Sequence, residues 1–207
     1  MSKNYPERED NIYDFAVLEP EATYSYADYL KWQFEERVEL IKGKIFKMSP
    51  APRTRHQEIH SNLFVDLGSY FRKKDCKIFS APFDVRFPNN PTDSDAQTFT
   101  VVQPDICIVC DKSKLDVAGC KGAPDLIIEI LSPSTSSKDL RNKYELYEEH
   151  GVKEYWVVYP GESVIEIFEL SDSGKYTSKG KFLGNDIIST PLFPDLILKL
   201  EEVFIED

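Results

Sequence analysis

The sequence predicts an α/β fold, a sheet with helices on its faces, and three observations carry that expectation. Two segments, 104–109 and 124–131, open with Pro-Asp and continue as apolar, β-branched runs. That is the pattern of strands buried on both faces, with proline where no ladder N–H is needed. Residues Ile59, Leu63, Phe64, Leu67 and Phe71 recur at helical spacing and mark one buried stripe. Finally, a helical segment at 138–149 follows the second strand and precedes a third at 153–159, so strand, helix and strand alternate.

Residues 1–20 are polar and acidic and are expected to form a loosely ordered lead-in to one domain over 21–207. Ser25 with Asp28 three residues on forms a capping box, opening a helix of about three turns through Tyr26, Tyr29, Leu30 and Phe34. Arg37–Ile41 and Lys44–Met48 then read as a hairpin turning at Lys42-Gly43, with Glu39 set between Val38 and Leu40. Ser49-Pro50-Ala51-Pro52 is a stiff connector. A long helix runs from Thr54 to about Lys74, followed by strands at Lys77–Ser80 and Phe83–Phe87, the latter holding Asp84. The polar stretch 88–97 is a loop. After the helix at 138–149, Gly151 serves as a left-handed cap. Strands at Lys153–Tyr159 and Val164–Leu170 flank Pro160-Gly161, and the chain closes on an apolar tail, 192–205.

Composition bounds the function. With 41% hydrophobic and 13% aromatic residues in 207, the chain can build a sizeable core. No apolar run approaches the ~20 residues that span a bilayer, and residues 1–21 lack the apolar stretch of a signal peptide. A cytoplasmic protein with no membrane association is expected. Cys76, Cys107, Cys110 and Cys120 are too sparse for a secreted disulfide framework. Cys107 and Cys110, three apart on a strand, face opposite sides and cannot share a zinc ion, so reduced, buried thiols are expected. Lys and Arg number 25 against 36 Asp and Glu, a net charge of −11. Long-range attraction to a polyanion is therefore lacking, and such a substrate needs a local basic surface and a bound cation. Lys42, Lys44, Lys47, Arg53 and Arg55, with no acid among residues 42–56, supply a candidate surface; a solvated hairpin face reads the same way.

Asp105 and Glu129 are the anomalies. A carboxylate in an apolar strand costs several kcal/mol unless a cation or donor satisfies it. Two of them on neighbouring strands point to a shared hard cation such as Mg²⁺, which takes one or two carboxylates plus water and phosphate oxygens. The alternative is that each sits at a strand end in water or against its own basic side chain. His56 and His60, at i and i+4, resemble the pair of a zinc-protease helix, except that the glutamate stands one position late. His60 continues the buried stripe and reads as a core-edge residue; His56, beside the basic segment, is the functional candidate. A zinc hydrolase built on both histidines is the third reading.

A wider set of residues carries a resemblance. Val38-Glu-Leu-Ile-Lys-Gly43, Met48-Ser49-Pro50, His56, Pro82-x-Asp84-Val85, Gln103-Pro104-Asp105, Pro124-Asp125-Leu126, Glu129-Ile-Leu-Ser-Pro-Ser-Thr135, Asp139, Lys143, Tyr147, Gly151-Val152 and Glu154-Tyr155-Trp156 follow one another. Together they resemble the Uma-type family of bacterial restriction-endonuclease-like proteins, within the PD-(D/E)XK nuclease superfamily. The resemblance implies a restriction-endonuclease-like mixed sheet flanked by helices, with an N-terminal helix and β-hairpin and extra C-terminal strands. It further implies Mg²⁺- or Mn²⁺-dependent hydrolysis of phosphodiester bonds in DNA. Asp105, Glu129 and the Ile130 carbonyl would hold the metal, Glu39 would be a further acid, and Asp84 a weaker one. His56, Arg53 and Arg55 would meet the substrate, and a homodimer or larger homo-oligomer is expected. One position departs from the superfamily: the lysine expected two residues after the glutamate is Leu131. Lys143, on the following helix, is the replacement. An ordinary surface lysine paired with Asp139 is its alternative, and a catalytically silent binding module is the alternative for the whole chain. Asp125, four strand positions from Glu129, is ~13 Å away and reads as a strand-start acid.

Overall fold

The computed structural model describes residues 11–48, 53–132 and 137–205. The chain folds into two compact units, 1–50 with 86–102 and 51–85 with 103–207. The elements in chain order are α1 (Tyr26–Tyr29), β1 (Val38–Ile41), β2 (Lys44–Lys47), α2 (Thr54–Phe71), β3 (Lys77–Ser80), β4 (Val85–Arg86), β5 (Val101–Val102), β6 (Ile106–Val109), β7 (Leu115–Asp116) and β8 (Gly119–Lys121). There follow β9 (Leu126–Ile130), α3 (Ser137–Glu149), β10 (Glu154–Tyr159), β11 (Val164–Leu170), β12 (Tyr176–Leu183), β13 (Ile187–Ile188), β14 (Leu198–Lys199) and α4 (Leu200–Val203).

In the first unit β1 and β2 form the expected hairpin, Glu39 opposite Phe46, and β1 also pairs with β5. Lys42 and Gly43 both adopt positive φ, which lets a two-residue turn match the strand twist. The Ser25–Asp28 capping box is formed, yet α1 stops after one turn. The amide of Gln33 donates to the Ile12 carbonyl and that of Ile12 to Lys31, drawing the chain out of the helix into an extended pairing. The aromatic residues expected on a longer helix still gather, with Trp32 and Phe34 stacked beside Tyr26, Val38 and Leu40. Of the expected lead-in, residues 1–10 lie outside the described residues, as does the connector 49–52; Phe15–Val17 form a 3-10 turn.

The second unit is built on a six-stranded mixed sheet in the order β12-β11-β10-β9-β6-β3. All neighbours are antiparallel except β9 and β10, which run parallel because α3 carries the chain across between them. One face, with Ile106, Ile108, Ile128, Trp156 and Ile165, packs against Ile59, Leu63, Leu67 and Phe71 of α2 and against Leu198, Leu200 and Phe204 of the C-terminal tail. α3 covers the opposite face, placing Tyr147 against Tyr155 and Tyr144 against Phe168. Gly151 has φ 79° and turns the chain from α3 toward β10. The strand expected at Phe83–Phe87 is reduced to Val85–Arg86.

The reduced state expected of all four cysteines is corrected. Cys76 and Cys110 form a disulfide, while Cys107 and Cys120 are free and buried. Lys77 faces Val109 in the β3–β6 ladder, so one step further the register sets Cys76 opposite Cys110. No helix among the described residues is long and apolar enough to cross a membrane.

Candidate active site

The site grows from the antiparallel pairing of β6 and β9. Ile106 faces Ile128, so the next step of the register sets Asp105 across from Glu129 on the same face. Asp105 Oδ2 accepts the backbone N–H of Ile130 at 2.8 Å and lies 3.5 Å from His56 Nε2. Burial alone would raise the Asp105 carboxyl, but His56, the Ile130 amide and the charge of Lys143 outweigh it and hold the group below the usual carboxylate range. His56 shifts the opposite way. Burial opposes its charge, yet Asp105, the Ile130 backbone and Glu129 together raise it.

Glu129 is 7% exposed and is met from α3. Lys143 Nζ donates to its Oε1 at 2.8 Å, and the Tyr147 hydroxyl donates to the same oxygen at 2.6 Å. One helical turn separates these two residues, so they leave α3 on one face and converge. Lys143 is thus directed to Glu129, where the sequence left an i,i+4 pair with Asp139 as the alternative. Leu131, in the place of the superfamily lysine, continues the ladder by donating its N–H to the Val158 carbonyl. The sequence named Tyr147 only within the family pattern. Its signal as a site residue was the spacing of four from Lys143.

The remaining candidates divide. His60 accepts or donates at Nε2 with the Ser80 hydroxyl (2.9 Å) and the Asp105 carbonyl (3.2 Å), and stacks on Phe64. It buttresses the strand that ends at the site, as a core-edge histidine does. Arg53 caps α2 and is exposed. The guanidinium of Arg55 donates to the Ile205 and Phe204 carbonyls, which ties the start of α2 to the C-terminal segment. Asp84 accepts a hydrogen bond from Gln103 Nε2. Asp125 accepts from the Cys110 amide and Lys153, both at 2.7 Å, a strand-start ion pair. Glu39 is buried in β1 of the first unit.

A match to a family model spans residues 26–201; its description is Uma2, "Putative restriction endonuclease". The chain belongs to the Uma2 family. A relative, "Uncharacterized protein slr1290" of Synechocystis sp. (strain ATCC 27184 / PCC 6803 / Kazusa), is 26% identical over 165 residues, 78% of this chain and 79% of that protein. A solved structure described as "a putative nuclease belonging to DUF820", from Anabaena variabilis ATCC 29413, superposes with a TM-score of 0.68 at 20% identity. The superposition covers 87% of this chain and 97% of that one, so this Uma2 protein shares the α/β fold of that structure.

Among the described residues, no group of three or more His, Cys, Asp or Glu side chains is placed to hold a metal ion. His56 and His60 take different partners, the Asp105 carboxylate and the Ser80 hydroxyl. The donor set at Asp105 and Glu129 is two carboxylates at facing strand positions. That set suits Mg²⁺ or Mn²⁺, which keep several waters and need only one or two protein carboxylates.

Proposed function

We propose that this Uma2 protein is a divalent-metal-dependent endonuclease that hydrolyses phosphodiester bonds in DNA. The observation that carries the reading is the facing pair Asp105–Glu129, with Lys143 delivered to Glu129 from a neighbouring helix. Asp105, Glu129 and the Ile130 carbonyl would hold Mg²⁺ or Mn²⁺. When bound, that ion lowers the pKa of a water and neutralises charge on the phosphate.

The chain's own groups divide the remaining work. The Ile130 amide and His56 hold Asp105 ionised at a position where burial alone would favour the neutral acid. Lys143 brings a cation to the place that Leu131 leaves apolar, where negative charge develops as a phosphate is attacked. Its ammonium reaches Glu129 from α3, so the missing strand lysine is replaced in space by one from the next element. Arg53, exposed at the start of α2, and His56 would contact the substrate backbone.

A second reading has a specific observation in its favour: each acid already rests against its own basic partner, Asp105 on His56 and Glu129 on Lys143. A silent module needs no more than that. Nicking of supercoiled plasmid in Mg²⁺ or Mn²⁺ separates the two. The nuclease reading expects relaxed circles from the wild type and a loss of at least about a hundredfold in rate for Glu129→Ala. Undiminished nicking by that variant moves the chemistry elsewhere, and no nicking by the wild type with either metal favours the silent module.

A further inference from the structure

We propose that Tyr147 is the positioning residue of the site: its hydroxyl fixes the orientation in which Glu129 presents its carboxylate. This inference rests on the nuclease reading above. The hydroxyl donates to Glu129 Oε1 at 2.6 Å from a fully buried ring, and Lys143 donates to that same oxygen at 2.8 Å. Charge neutralisation requires Lys143 alone. A second, neutral donor on the same oxygen adds direction: two donors converging from one helix face define how the carboxylate is turned.

The neighbourhood argues against the bond being merely what a buried phenol finds. Tyr155 lies beside Tyr147 at 5.1 Å between ring centroids, is itself fully buried, and its hydroxyl has no hydrogen-bond partner among the described residues. This aromatic layer therefore tolerates a phenol whose hydroxyl is unused, and the ring of Tyr147 fills its place with or without the oxygen. The hydroxyl is aimed at the acid that faces Asp105. Burial strengthens its hold, since a hydrogen bond to a charged group in a region of low dielectric is worth more than one in water. Glu129 sits in the parallel β9–β10 pair, opposite Val157, so ladder pairing limits how far its backbone can adjust to a misdirected side chain. Orientation must come from what surrounds the carboxylate, and Tyr147 is the donor that reaches it from the buried side.

The test uses the full chain and the variant Tyr147→Phe, which keeps the ring contact and removes one oxygen. Tyr144→Phe is the control, on the same helix and in the same aromatic layer against Phe168 and Tyr176. Three quantities are read: the melting temperature, Mn²⁺ affinity by titration without DNA, and kcat and KM for plasmid nicking. Expected for Tyr147→Phe are a melting temperature within a few degrees of wild type, Mn²⁺ binding about tenfold weaker, and kcat about tenfold to a hundredfold lower at unchanged KM. Tyr144→Phe should match wild type in metal affinity and rate. Wild-type Mn²⁺ affinity and kcat in Tyr147→Phe overturn the positioning role while leaving the nuclease reading intact. So does a parallel loss in both tyrosine variants, which would mark a general packing defect. A wild type that neither binds Mn²⁺ nor nicks DNA overturns the nuclease reading, and the positioning role falls with it.

Discussion

His56 and Asp105 hold each other in their charged forms, and the consequence is measurable in stability. The His56 pKa is raised in the folded state, so its contribution is full below the unfolded value of about 6.5 and is lost as pH rises through the folded value. Asp105 is lowered, so its contribution is present above about 3.9 and is lost as pH falls through the folded value. The pair therefore stabilises a window running from weakly acidic to near-neutral pH. Denaturant midpoints from pH 3 to 9 should show that plateau in the wild type. His56→Gln should flatten its alkaline edge; an unchanged edge would mean the pair is not ionised. Glu154 behaves in the contrary sense. Burial raises its pKa above the usual range, although Trp156 Nε1 donates to it at 3.1 Å, so this acid favours the folded chain most when protonated. The two strand acids of the site were legible in the sequence because a charge in an apolar run has few explanations. Lys143 came in through the family resemblance and His56 as a candidate, but that His56 pairs with Asp105 was not legible. His56 is separated by 49 residues from Asp105, and nothing local announces that a helix start will meet a strand start.

At the level of elements, α3 and β6 decide what the site can do. α3 must exist because β9 and β10 are parallel and need a crossover, and its position over the sheet follows from that need. Lys143 and Tyr147 reach Glu129 as a consequence, and the apolar Leu131 becomes tolerable. β6 carries Asp105 just before its first residue, and the Cys76–Cys110 link stands one step beyond its other end. The bridge closes a loop with a sequence separation of 34, which contains β3, β4, β5 and β6. In the loop-entropy account a bridge of this span stabilises by about 4 kcal/mol. Reduction, or Cys76→Ser, should therefore lower the melting temperature by several degrees or more, while thiol counting rises from two to four on reduction. Four reactive thiols in the unreduced, denatured chain would show that the bridge does not form. Sequence spacing alone pointed away from this pairing. Cys107 lies within β6 and Cys110 just past its end, and the partner of Cys110 stands just before β3, 34 positions earlier in the chain.

For the whole molecule, charge sets the terms on which a nucleic acid can bind. With 36 acidic and 25 basic residues, a net −11, the chain repels a polyanion at long range. Several of its cations are already committed within the second unit: Lys143 to Glu129, Lys153 to Asp125, and Arg55 to the carbonyls of the C-terminal segment. If a bound divalent ion bridges the site acids to phosphate, DNA affinity should depend on that ion. At roughly 100 mM salt, binding in EDTA should be weak, and Ca²⁺ should raise it by about tenfold or more. Equal affinity in EDTA and Ca²⁺, read by fluorescence anisotropy of a labelled duplex, would rule out the bridged arrangement. What the sequence by itself determined was local and periodic. The two buried strands, the long helix at Thr54, the hairpin at Lys42-Gly43 and the out-of-place acids follow from spacing and from the cost of burying charge. Only the tertiary structure decided which side chains share the site, because the meeting of Asp105 with His56, of Glu129 with Lys143 and Tyr147, and of Cys76 with Cys110 depends on strand order and helix docking. Those are settled by contacts between residues far apart in the chain.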